Sequence, residues 1–168
     1  MVMDNSKKLK TTLLWYVAMS VAVCAVCGLT NLAAYLLDIE LPPQPSLKEL
    51  LDSHGVRLAQ LLALVLIGAP VIEETLFRWL LWRVPSRLVK RRWAAVAFAV
   101  ISATAFTAAH YIRMPFPDNA FLGIFVIGIA HCGLYAKTGS LWCPMLSHAL
   151  FNAANVAILF AFPEFALK

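Results

Sequence analysis

The sequence predicts an all-α protein, a polytopic membrane helical bundle of about five transmembrane helices with its polar residues gathered inside the bundle. Three observations lead there. Hydrophobic residues make up 61% of the 168 positions and charged residues 14%, against about 25% charged in ordinary soluble domains. The apolar residues fall into runs near the ~20 residues that a spanning helix needs. The ionisable groups inside those runs are few and stand at helical spacings.

The first run, Thr12–Leu37, follows a basic start, "MVMDNSKKLK". At about 25 residues it is too long for a signal-peptide core, and no small-residue cleavage site follows it. It reads as a retained first helix. Cys24 and Cys27 sit three apart within it, and Cys132 and Cys143 lie in or beside later apolar segments. Small polarisable side chains in such places pack against neighbouring helices, so no disulfide framework is expected.

Next comes a polar, proline-marked connection, "DIELPPQPSLKELLDSHGVR". Ser46 and Glu49 form a Ser-x-x-Glu capping box, and Leu47, Leu50 and Leu51 share one face, which predicts a short interfacial helix. The remaining spans are Leu58–Val84, Trp93–Tyr111, Ala120–Ala136 and Leu141–Phe162. The chain thus divides into residues 1–57, a first helix with its loop, and residues 58–168, a four-helix core.

Basic residues set an orientation. Lys7, Lys8 and Lys10 precede the first span, Arg83, Arg87, Lys90, Arg91 and Arg92 follow the second, and Lys137 follows the fourth. By the positive-inside rule that side, with the N-terminus, is cytoplasmic. The net charge of +5 is accounted for by topology and anionic headgroups, and no nucleic-acid motif accompanies it.

The stretch "PVIEETLFRWLLW" places Glu73, Glu74 and Arg78 inside the second span. A charge at mid-helix costs about 2.5–3.5 kcal/mol on the insertion scale, so compensation is needed. Glu74 and Arg78 are i, i+4 with the acid first, the favourable order for an ion pair. Glu73 is rotated by about 100° in a regular helix and finds no partner on its own face. Pro70 donates no backbone hydrogen bond, so the helix is expected to kink there or to restart with Pro70 as its first residue.

The third span carries Phe106 and His110 at i, i+4, and the fifth carries His148 and Asn152 at the same spacing. An unpartnered carboxylate and an imidazole can jointly deprotonate a water, while a second imidazole and an amide can stabilise an oxyanion. The same residues offer a Glu/His/His metal set with an open position, although the His-Glu-x-x-His arrangement of zincins is absent. His131, on the fourth span one turn after Gly128, is expected to make an interhelical hydrogen bond.

Three motifs in this order, "EETLFR", "FTAAH" and "HALFN", resemble those of the type II CAAX prenyl endopeptidase and bacteriocin-processing (CPBP, or Abi) family of intramembrane proteases. "TGSLW" before the last helix is similar as well. The resemblance spans roughly Leu58 to Phe162. It implies a membrane-embedded endopeptidase with its active site inside the bundle, acting on a protein or peptide substrate. Glu73 and His110 would activate the water, His148 and Asn152 would stabilise the oxyanion, and Glu74, Arg78 and Phe106 would support them. No cofactor is favoured; a zinc-dependent version would use Glu73, His110 and His148. The compact chain points to a bacterial cytoplasmic membrane. The competing reading is a non-catalytic immunity or scaffolding protein that keeps the same polar core for packing.

One tension is geometric. At ~1.5 Å rise per residue, His110 and Glu73 lie at different depths if every span is straight. Their meeting requires tilt, mid-membrane helix starts or re-entrant backbone around a cavity.

Overall fold

Helix is the only regular structure among the residues described in the computed structural model, which are 3–41, 45–89, 91–112 and 120–163, without the side chains of 45–47 and 92. They form α1 (Asn5–Leu36), a short α2 (Pro45–Asp52), α3 (Gly55–Leu88), α4 (Arg92–His110), α5 (Phe121–Thr138) and α6 (Trp142–Ala161). All but α2 are long and apolar enough to cross a membrane, which makes this an integral membrane protein. The five expected spans are therefore present. Leu14, Val17, Val21, Leu29 and Leu32 of α1 stay exposed on the bundle surface, the arrangement expected where lipid is the solvent.

Helix ends differ from the expected ones for local reasons. The first helix begins at Asn5 rather than Thr12 because Asp4 caps it, its carboxylate accepting from the backbone N–H of Ser6 at 2.8 Å and of Lys7 at 3.2 Å. Gly139 ends α5 in the left-handed region, at φ 65°, which a glycine adopts without penalty. The expected Ser46 cap lies outside the described side chains. Leu50 of α2 is buried, and α2 rests on α6.

Pro70 neither restarts α3 nor interrupts it. The helix continues from Gly55 to Leu88, and the residues just ahead of Pro70, Leu64–Gly68, form a π-turn in which Ala69 N–H reaches back five residues to the Leu64 carbonyl. In that register Pro70 would be the donor to the Val65 carbonyl, and it has no N–H to give. The freed acceptor is served from another helix: Asn152 Nδ2 donates to Val65 O at 2.8 Å. A second π-helical stretch, Glu74–Arg83, carries the charged motif. Because this backbone is π-helical, the regular-helix rotation assumed for Glu73 and Glu74 does not apply beyond Glu74.

The helices pack around α5, which touches α1, α4 and α6, while α4 also lies along the Glu74–Arg83 part of α3 and α6 along its Leu64–Glu73 part. Small residues set the close approaches. A Cβ built on Gly128 would stand 2.8 Å from the Ala103 Cβ, and one on Gly133 would stand 2.9 Å from the Trp15 ring. Side chains also stitch the helices to one another's backbones. Trp15 Nε1 donates to Ala130 O at 2.8 Å, Ser102 Oγ to Phe77 O at 2.6 Å and Trp82 Nε1 to Ala95 O at 3.0 Å. These contacts tie α5 to α1 and α4, and α4 to α3.

A buried glutamate and histidine cluster as the candidate active site

Glu74 occupies the centre of the polar core and is fully buried. Its Oε2 stands 3.1 Å from Arg78 Nε, the ion pair expected from their spacing. The contact is close enough for an ion pair but lacks the alignment of a hydrogen bond, so Nε, Nη1 and Nη2 have no hydrogen-bond acceptor among the described residues. The cation is stabilised from another direction: Arg78 Cζ lies 4.1 Å from the centroid of the Phe106 ring. Phe106 is itself buried and forms the hub of an aromatic cluster, with ring centroids 4.6 Å from His110, 5.3 Å from Phe77 and 6.1 Å from His148.

The other carboxylate oxygen, Glu74 Oε1, serves two imidazoles from two helices. His131 Nδ1 on α5 is 3.0 Å away and His148 Nδ1 on α6 is 2.9 Å away. A carboxylate only accepts, so each Nδ1 carries the hydrogen in its bond. His131 makes the interhelical hydrogen bond expected of it, and a second one, between Nε2 and Ser147 Oγ at 3.3 Å. The sequence held a partial signal for this link: a histidine within a span, one turn after a glycine of close approach.

Glu73 lies at the edge of this cluster. Its side chain is 27% exposed, and its Oε2, though buried as an atom, has no hydrogen-bond partner among the described residues. His148 Nε2 stands 3.8 Å from that oxygen, beyond hydrogen-bond range. His148 is 5% exposed and thus bridges the two adjacent glutamates, Nδ1 to Glu74 and Nε2 towards Glu73. His110 Nδ1 donates to its own helix, at 2.9 Å from Phe106 O, which leaves Nε2 as the free lone pair of the neutral ring. His110 stands one turn along α4 from Phe106, whose ring also meets His148. No hydrogen bond or ion pair among the described residues joins His110 to Glu73, and the Phe106 ring is what touches both His110 and His148. Asn152 has one amide hydrogen committed to Val65 O.

Among the described residues, the metal-ligating side chains that converge are Glu74, His131 and His148, with ligand atoms all within 4.8 Å of one another. Of the expected zinc set this includes His148 but not Glu73 or His110. A water-activating zinc held there would need an open coordination position beside three buried side chains. Oε1 of Glu74 and both Nδ1 atoms are already joined in hydrogen bonds, and a divalent cation there would face the Arg78 guanidinium across one carboxylate.

Comparison with known proteins gives one positive finding. The family model described as type II CAAX prenyl endopeptidase Rce1-like matches residues 55–154, from the start of α3 into α6. No curated protein and no solved structure matches the chain.

Proposed function

The chain belongs to the type II CAAX prenyl endopeptidase Rce1-like family, and from that premise we propose that it is an intramembrane endopeptidase using a glutamate-activated water. Glu73, assisted by His110, takes a proton from a water whose oxygen attacks the scissile carbonyl of a membrane-associated protein or peptide. The oxyanion accepts hydrogen bonds from His148 and from the second amide hydrogen of Asn152. Collapse of the tetrahedral intermediate breaks the C–N bond, and the proton held by Glu73 passes to the leaving amine.

The observation that carries this reading is the contrast between the two adjacent glutamates. Glu74 accepts from His131 and His148 through Oε1 and faces the Arg78 guanidinium through Oε2, whereas Glu73, with a side chain 27% exposed, has a buried Oε2 that meets neither a hydrogen-bond donor nor a guanidinium among the described residues and stands 3.8 Å from an imidazole nitrogen. A buried carboxylate oxygen without a protein partner calls for water. Glu74 also suits the demand on His148. In the resting state Nδ1–H of His148 is held by Glu74, and Nε2 donates to an oxyanion once it has gained a second hydrogen.

The Asn152–Val65 bond favours a second reading, in which the polar core serves helix packing alone. One substitution separates the two. Glu73→Gln keeps size and hydrogen bonding and removes the base, so a protease loses turnover of about 10²-fold or more with its unfolding midpoint in detergent unchanged. The probe is a set of internally quenched peptides, one with a farnesylated CAAX tail. Undiminished turnover by Glu73→Gln overturns the mechanism.

A further inference from the structure

We propose that His131, which lies outside the three motifs, is a positioning residue that locks the Glu74 carboxylate and through it the tautomer of His148. This inference rests on the proposed role of His148 and extends it to a residue on a different helix.

His131 is fully buried on α5, and both of its ring nitrogens are engaged. Glu74 Oε1 can only accept, so His131 Nδ1–H donates to it at 3.0 Å. In the neutral ring Nε2 is then the acceptor, and the Ser147 hydroxyl supplies the hydrogen across 3.3 Å. The donors run in one direction, from Ser147 to His131 to Glu74. Reversing the His131 tautomer would place a bare Nδ1 lone pair against a carboxylate oxygen. The surroundings therefore select a single protonation pattern.

This chain ends on the same oxygen that His148 uses. Ser147 and His148 are neighbours on α6, so that helix grips Oε1 twice, directly through the His148 ring and indirectly through Ser147 and His131. Opposing them, Arg78 draws on Oε2 from within α3 at 3.1 Å. With both imidazoles in place the carboxylate is held from two sides. Without His131, a single donor is left to oppose the guanidinium, and the carboxylate is free to turn about its last torsion. His148 then loses the acceptor that keeps its hydrogen on Nδ1 and directs Nε2 towards Glu73.

A histidine that merely fills space would require no donor at Nδ1, and leucine could replace it. This difference defines the experiment. The full-length protein is labelled with ¹⁵N-histidine in detergent micelles, and its ring signals are assigned by replacing His54, His110, His131 and His148 singly. In the parent His148 is a single species protonated at Nδ1. In His131→Leu it becomes a mixture of tautomers. In His131→Asn, whose amide can donate from the Nδ1 position, the single species returns. Ser147→Ala, a milder change, shifts His148 in the same direction as His131→Leu and keeps the test open if the leucine variant does not fold. On the quenched farnesylated peptide, His131→Leu lowers kcat about 10–100-fold, the range for lost orienting partners, with KM unchanged, and His131→Asn recovers most of it. A His148 spectrum unchanged in both His131→Leu and Ser147→Ala overturns the proposal, as does an equal effect of Leu and Asn. Glu73→Gln is run alongside: turnover that survives there removes the water-activation reading, while the tautomer result still decides the role of His131.

Discussion

Asn152 on α6 donates to the main-chain oxygen of Val65 on α3, at 2.8 Å. The acceptor is available because two features coincide, a π-turn over Leu64–Gly68 and a proline at the position that would otherwise close its next hydrogen bond. Restoring a donor at position 70 should therefore relieve Asn152 of that duty. Asn152→Ala in the parent leaves a part-buried carbonyl unsatisfied, which costs about 1–3 kcal/mol. In a Pro70→Ala background the same replacement should cost clearly less. Unfolding in detergent, measured for both single variants and the double variant, gives the coupling; strictly additive losses would contradict the account of the freed carbonyl.

The Glu74–Arg78 pair makes a second prediction. Both groups are fully buried, and Arg78 also lies over Phe106. Removing one partner strands the other charge, so Arg78→Ala should destabilise by about 3–5 kcal/mol. Arg78→Lys should recover only part of that, because an ammonium cannot spread as a plane over the ring while reaching the carboxylate. The readout is the midpoint of unfolding. A lysine variant as stable as the parent would show that charge alone suffices.

Contact between α4 and α5 gives a third. A methyl group at position 128 would lie 2.8 Å from the Ala103 Cβ and 2.9 Å from its Cα. Gly128→Ala should force the helices apart at a cost of about 1–3 kcal/mol. Ala103→Gly on the facing helix should offset part of the clash, because it removes the Cβ contact and leaves the Cα one, although it introduces a glycine into α4. The double variant is predicted to be more stable than Gly128→Ala alone, as judged by thermal unfolding, and an equal or lower midpoint would contradict it.

Metal removal gives the fourth. The converging trio Glu74, His131 and His148 is buried and faces Arg78, so turnover of the quenched peptide should persist after extended dialysis against a strong chelator. Activity that is lost on dialysis and returned by zinc would reverse this and make the enzyme a metalloprotease.

Much of the fold was legible because hydrophobic length is a one-dimensional signal. Each expected span coincides with a helix, and the Glu74–Arg78 pair followed from spacing alone. The behaviour of α3 around Pro70 was less accessible. Sequence periodicity assumes 3.6 residues per turn, and nothing local in "LVLIGAP" announces a switch to five-residue hydrogen bonding. The Glu74–His131 bond joins residues on separate helices, and no fixed interval in the chain encodes such a pairing. Local spacing assigned Glu74 to Arg78 and stopped there, whereas the fold adds two imidazoles to the same carboxylate.

Two imidazoles drawing on one oxygen also shape how this sequence could change over time. Positions 74, 131 and 148 are tied to a single atom, Glu74 Oε1, and residues sharing one network do not contribute independently. A replacement at position 131 alters the background against which every replacement at 148 is judged, and the reverse holds equally. Viable routes to a different polar core therefore depend on the order of the steps, and a library varying these positions one at a time would miss combinations that survive together.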